Sequence, residues 1–188
     1  MAKDDDSAYS EARIKGRLVE NGVKIIGKES ANELSNKGYG TTEDDEFILT
    51  FYEAMYLSNI EILEVEDDQG KKVDIEKILH LYEDEDDEAW TKYLTYNDLR
   101  SRGYVVRGGF GWKIDFRVYE RGKYPDKTAK YLILSMQEGN PIPVEDLTWV
   151  LDQCQSLKKD LILAVMNRRG EVVYYQVSEM ILKNKGGL

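Results

Sequence analysis

Apolar and polar residues alternate with a period of two in several short runs of this chain. From Lys113 to Tyr119, residues Ile114, Phe116 and Val118 fall on one side, and Asp115, Arg117 and Tyr119 on the other. That pattern predicts a half-buried strand. Short strands are also predicted at Arg17–Val19 and Val23–Ile26 around an Asn21-Gly22 turn, at Ile60–Val65, and at Lys72–Val73 after the Asp67–Gly70 turn. In the second half, strands are predicted at Tyr104–Arg107, Tyr131–Met136, Leu161–Met166 and Glu171–Val177. Helical spacing appears elsewhere. Ser30 and Glu33 have capping-box spacing, and Gly38 can stop that helix. Thr42–Asp45 reads as a second cap, opening a helix that carries Phe47, Phe51 and Met55. Asp74 caps a helix through Leu81, and Asn97–Arg102 is a short helix ended by Gly103. Pro141 and Pro143 lead into a helix whose apolar face carries Leu147, Val150, Leu151, Cys154 and Leu157.

These elements predict an α/β (α+β) chain. Six consecutive acids, Glu83–Glu88, mark the sharpest break in composition and read as a solvated connection. The expected organisation is a flexible acidic tail over 1–12, a small α/β domain over 13–88 and a second domain over 89–188. The second is mostly strands with one clear helix. A run as apolar as Leu161–Met166 needs cover on both faces, from more helix than the pattern shows or from a partner surface.

Charge divides the chain in the same way. The 188 residues carry a net charge of −10. Met1–Leu99 holds 11 basic and 26 acidic residues, whereas Arg100–Leu188 holds 15 and 10. A simple basic nucleic-acid binder is disfavoured for the whole chain, and the back half is the better candidate for a phosphate-rich ligand. The single cysteine, Cys154, excludes an intrachain disulfide and fits a reducing cytoplasm. It is expected to be a buried small hydrophobe. The polar, acidic start is unlike a signal peptide, and the longest apolar run is far too short for a membrane span. One His and one Cys exclude a standard zinc site, so no metal is expected. The glycines at 108, 109 and 111 invite a phosphate-loop reading, but no Lys-Ser/Thr and no helix follow them.

Four segments together resemble the archaeal tRNA-splicing endonuclease family: Tyr96–Val106, Asp115–Gly122, Ser156–Lys159 before Leu161–Val165, and Val172–Val177. The likeness extends more weakly to Ala31–Gly38 and Glu53–Leu57. It implies a nuclease-like mixed-sheet domain, flanked by helices, behind a small amino-terminal domain. It implies metal-independent, cofactor-free cleavage of precursor tRNA at bulge-helix-bulge junctions, leaving 2′,3′-cyclic phosphate and 5′-hydroxyl ends. The family's site is a Tyr acting as base, a His as acid and a Lys stabilising the crowded phosphate. Its Tyr matches Tyr119 and its Lys matches Lys159.

Its His matches Thr128, three residues before Tyr131. The only histidine, His80, lies in the front domain. A Thr hydroxyl does not titrate near neutrality, and losing a positioned acid costs about 10²–10⁴-fold. Two further departures agree. Asp152 stands where the family often has a base-stacking Arg, and the usually acidic turn after Leu161–Met166 here holds Arg168 and Arg169. The resemblance therefore implies a structural subunit that pairs with a catalytic paralogue or with itself, as a dimer or tetramer. Val172, Tyr174, Val177, Arg168 and Arg169, with the tail through Leu182, would form the interface, and Arg117, Lys127, Lys130 and Lys158 would face RNA. The alternatives are an active chain in which Tyr124, Lys127 or Lys130 replaces the acid, and a paralogue that binds RNA or protein without splicing.

Overall fold

A computed structural model describes residues 14–111 and 113–180. The expected acidic tail and the segment beyond Met180 lie outside them. The chain divides into two compact units, Met1–Asp84 and Glu85–Leu188.

The first unit is a six-stranded mixed sheet with helices. Strands β1 (Ile14–Val19) and β2 (Gly22–Ile25) form a hairpin, followed by α1 (Lys28–Asn36). Strands β3 (Thr41–Glu43) and β4 (Glu46–Leu49) form a second hairpin, followed by α2 (Phe51–Asn59). Strands β5 (Leu63–Glu66) and β6 (Lys72–Val73) and helix α3 (Ile75–Glu85) complete it. The sheet order is β3-β4-β2-β1-β5-β6, with β1 and β5 parallel.

The helix expected from Thr42 is instead the β3–β4 hairpin. Asp44 and Asp45 both have positive φ, 46° and 66°, as a two-residue turn matched to the twist of the strands demands. Phe47 and Leu49 then alternate inward. The true cap is Thr50, whose hydroxyl accepts from Glu53 N while the Glu53 carboxylate accepts from Thr50 N. Ser30 likewise lies inside α1, whose N-cap is Gly27. The stop at Gly38 is a Schellman motif: Tyr39 N donates to Leu34 O and Gly38 N to Ser35 O. Asp74 caps α3 through Lys77 N at 2.8 Å, and the helix runs on through Glu85, four residues beyond Leu81.

The second unit has helices on both faces of a five-stranded sheet. Its elements are α4 (Ala89–Ser101), β7 (Val105–Gly108), β8 (Phe116–Tyr119), β9 (Tyr131–Gln137), α5 (Val144–Ser156), β10 (Asp160–Met166) and β11 (Val172–Val177). The order is β11-β10-β9-β8-β7, with β9 and β10 parallel and the other pairs antiparallel. Helix α5 is the crossover, and its Val150, Leu151 and Cys154 pack with Leu132, Leu134 and Leu161. Ile114, just before β8, joins this cluster rather than continuing the Phe116 face. On the other face Tyr96 of α4 meets the Phe116 ring at 5.8 Å. Helix α4 is thus the cover that the apolar Leu161–Met166 run required. It begins eight residues before the short helix expected at Asn97, because Tyr93, Thr95, Tyr96 and Leu99 are buried against the sheet.

The acidic run is not uniformly solvated. Asp86 Oδ2 lies 2.6 Å from Lys92 Nζ, and Asp86 Oδ1 accepts from Glu88 N. Lys92 also reaches Asp115 Oδ1 at 3.4 Å, and Asp115 Oδ2 accepts from Ser135 N at 2.6 Å. Asp115 thereby satisfies a β9 amide just past the end of β8. Burial pushes the Asp115 carboxyl above its ordinary value of 3.8, against the pull of Ser135 N–H and Lys92. Burial also works against the Lys92 ammonium, but Asp86 and Asp115 hold it above its ordinary value.

Asp115→Ala is expected to cost about 3 kcal/mol in urea denaturation, because it strips the half-buried Lys92 of one partner and orphans an amide. The raised pKa fixes a pH sign. The Asp115 contribution is most favourable below pH 3.8 and is lost as pH rises through the folded value. Asp115→Asn should remove that component from the urea midpoint.

Candidate functional site

Three strand ends meet at one edge of the second sheet. The carbonyl of Val118 in β8 accepts from Lys130 N at 3.0 Å, and the Lys130 carbonyl accepts from Asp160 N at 3.1 Å. Tyr119 follows Val118 and Lys159 precedes Asp160, so the two flank Lys130 from either side. Two strand spacings put their backbones roughly 10 Å apart. Thr128 precedes Lys130 by two residues, and the Lys159 Nζ donates to its Oγ1 at 2.7 Å.

Each member has a local cause. Tyr119 ends the alternating run on its polar side, and its ring meets Tyr124 edge-on at 5.0 Å. Lys159 is set by the end of α5, where Lys158 N donates to Gln155 O and Lys159 N to Cys154 O, both at 2.9 Å. These bonds make a Schellman motif whose left-handed residue is Lys158, φ 56°, in place of the usual glycine. Cys154 is fully buried, as expected, and burial pushes its thiol up to about 11.

The other expected RNA-facing residues divide. Lys127 and Lys158 are exposed and form no ion pair among the described residues. Lys130 is held by Glu120 at 3.2 Å, which keeps its ammonium above the ordinary lysine value. Arg117 turns inward: its Nε donates to Gly108 O at 2.8 Å and its guanidinium lies over Phe110. Gly109 has a packing role. A Cβ there would collide with the Ile114 carbonyl, and Gly109 N donates to Asp115 O. His80 is an exposed residue of α3, 3.2 Å from Glu83, in the other unit.

Along β11 the residues separate by face. The Tyr174 hydroxyl donates to Asp98 of α4 at 2.7 Å, and burial with that contact drives its pKa far upward. Val172 and Val177 are half-buried, and Val177 packs against the α5 cluster. Val173 and Tyr175, which the sequence reading did not single out, are 45% and 55% exposed. Arg168 and Arg169 lie exposed at the β10–β11 turn, which Asn167 fixes by accepting from Arg169 N and Glu171 N. Among the described residues no group of three or more His, Cys, Asp or Glu could hold a metal ion. No helix among them is long and apolar enough to cross a membrane.

A cation, a neutral hydroxyl and a phenol at one end of a mixed sheet are groups that can hold a phosphodiester. The ammonium stabilises negative charge, and the two hydroxyls donate hydrogen bonds. Family models agree. Residues 14–79 match "tRNA intron endonuclease, N-terminal domain", and residues 89–174 match "tRNA intron endonuclease, catalytic C-terminal domain". A tRNA-splicing endonuclease of Methanococcus maripaludis is 30% identical over 90% of this chain and 96% of the relative. One from Methanothermobacter thermautotrophicus is 32% identical over 88% and 96%. One from Thermococcus kodakarensis is 33% identical over 78% and 86%. The chain belongs to the tRNA-splicing endonuclease family.

Lys158→Gly should relieve the left-handed strain at the end of α5. The expected gain is about 0.5–1 kcal/mol, read as a higher melting temperature.

Proposed function

We propose that this chain is the structural, non-catalytic subunit of a tRNA-splicing endonuclease that cuts precursor tRNA at bulge-helix-bulge junctions. The observation that carries this reading is the bond from Lys159 Nζ to Thr128 Oγ1. Thr128 stands at the family's His position. Proton transfer to the departing 5′-oxygen needs a group titrating near neutrality, and a Thr hydroxyl is not one. Tyr119 and Lys159 retain the base and the electrostatic partner. The frame can hold a scissile phosphate and cannot complete the second proton transfer.

The protein-facing surface fits this division of labour. Strand β11 is the edge of its sheet, and Val173 and Tyr175 stand exposed on it. Pairing with a second copy or a His-bearing paralogue satisfies that edge. The exposed Arg168 and Arg169 bring cationic charge to the same hairpin.

A second reading keeps the chain active with a substituted acid. Tyr124 is the residue that favours it, because its ring touches Tyr119. Lys130 argues against itself, since Glu120 raises its pKa away from neutrality.

Incubation of the purified chain with bulge-helix-bulge RNA should give no cleavage alone, and cleavage once a His-bearing paralogue is added. Thr128→His should raise the rate of the isolated chain by about 10²–10⁴-fold, with cyclic-phosphate ends. Adding Tyr119→Phe should remove that gain. Efficient cleavage by the unaltered chain, abolished by Tyr119→Phe, rejects the structural-subunit reading. Tyr175→Asp should shift the chain toward monomer in sedimentation, while an unchanged profile rules out the β11 edge as the assembly surface.

A further inference from the structure

A cavity of about 340 Å³ opens in the second unit, at the end of the sheet away from Tyr119 and Lys159. Asp115, just before β8, and Ser135 of β9 line it together with Glu88, the N-cap of α4, and Lys92 in the first turn of that helix. Leu134, Met136, Pro141, Ile142 and Pro143 supply an apolar wall. We propose that this cavity binds a free primary alkylamine in its ammonium form, with the charged head among Asp115, Glu88 and Ser135 and the hydrocarbon tail on the apolar wall. The site lies beyond the RNA reading and does not depend on it.

Three observations carry it. First, the cavity has the volume of a small-molecule site and combines an apolar wall with a few convergent polar groups. Second, Ser135 is 1% exposed, and its hydroxyl has no hydrogen-bond partner among the described residues. Buried hydroxyls are normally paired, so this one lacks a partner that a molecule in the cavity can supply. Third, carboxylates outnumber cations. The Lys92 ammonium lies 2.6 Å from Asp86, 3.4 Å from Asp115 and 4.0 Å from Glu88. Lys113, the other cation of the lining, is taken by Asp146 at 2.6 Å. Negative charge is left over.

Together these features select one chemistry. Asp115 Oδ2 accepts from Ser135 N, but the long contact to Lys92 leaves Oδ1 able to accept a shorter bond. The Glu88 side chain makes no cap bond to its own helix. Ser135 Oγ can accept as well. An ammonium brings one positive charge and three donors to these three acceptors. An anion would meet the surplus of carboxylates. A hydrated metal dication would meet the Lys92 ammonium and gain nothing from the apolar wall, whereas an alkyl tail buries surface there.

The test uses the full chain and saturation-transfer NMR with n-butylammonium. The expected dissociation constant is on the order of a millimolar, as suits a ligand of so few atoms. Methylammonium should bind about tenfold more weakly, because it has no tail to bury. Tetramethylammonium at equal ionic strength has the charge without the N–H donors and should not bind. Glu88→Gln and Ser135→Ala should each weaken n-butylammonium about fivefold. Ser135→Ala deletes an unpaired hydroxyl, so the fold is kept. An absence of saturation transfer far above the expected constant overturns the proposal. Equal binding of tetramethylammonium reduces the effect to screening of a chain with net charge −10 and also overturns it. Unchanged affinity in either variant places the amine elsewhere and does the same. Sedimentation separates the two sources of an alkylammonium: an unaltered profile with the amine bound supports a free ligand, while an assembly split by the amine assigns the cavity to a lysine of a neighbouring chain and overturns the proposal.

Discussion

Seven residues of β9 lie in parallel register with seven of β10, from Tyr131 beside Asp160 to Gln137 beside Met166. Parallel neighbours cannot be joined by a tight turn, so the chain crosses over through α5. That crossover buries the Val150–Cys154 face on the sheet and ends where β10 must begin. Thr128 and Lys159 are 31 residues apart in the chain, yet the pairing sets both just before the first residues of adjacent strands. The antiparallel fit of β8 on β9 then brings Tyr119 to the same edge. A slip of one residue in either ladder would turn these side chains to the wrong face.

The same sheet end therefore has two chemical surfaces. On one face stand the ammonium of Lys159, the hydroxyl of Thr128 and the phenol of Tyr119. On the other, where α4 runs out, three tyrosines and their cations border an apolar floor. Charged groups near this end are largely paired within the fold, Lys130 with Glu120 and Arg102 with Asp98. Such exposed pairs add little to stability, but they fix where side chains point. Lys127 and Lys158, next in the chain to Thr128 and Lys159, form no such pair among the described residues.

Some of the fold was written plainly in local pattern. The alternation around β8, the proline entry to α5 and the apolar run of β10 each specify their element with little competition. Other segments carried two signals. Thr42–Asp45 and Thr50–Glu53 both have cap spacing, and the first lost because Phe47 and Leu49 gain burial as a strand paired with β2 and β3. Helix α4 was legible only near its end. Its first two turns are rich in Trp, Thr and Tyr, weak helix formers whose helix is stabilised by burial against the sheet. Val173 and Tyr175 alternate with their neighbours in a way any strand would show, and nothing local says which face stays uncovered.

The order of residues was enough to fix the chemical inventory: a Tyr at 119, a Lys at 159, a Thr at 128, one thiol at Cys154 and one histidine at His80. Those are facts of composition and spacing, and no folding changes them. Which groups meet was settled by pairing between distant strands. That is why Lys159 is bonded to Thr128, Arg117 is drawn into the β7 backbone, and Tyr174 is tied to Asp98 rather than left on the open edge. Local sequence sets the conformation of a few residues at a time, while a site built from three strand ends exists only once hydrogen-bonded ladders have chosen their register.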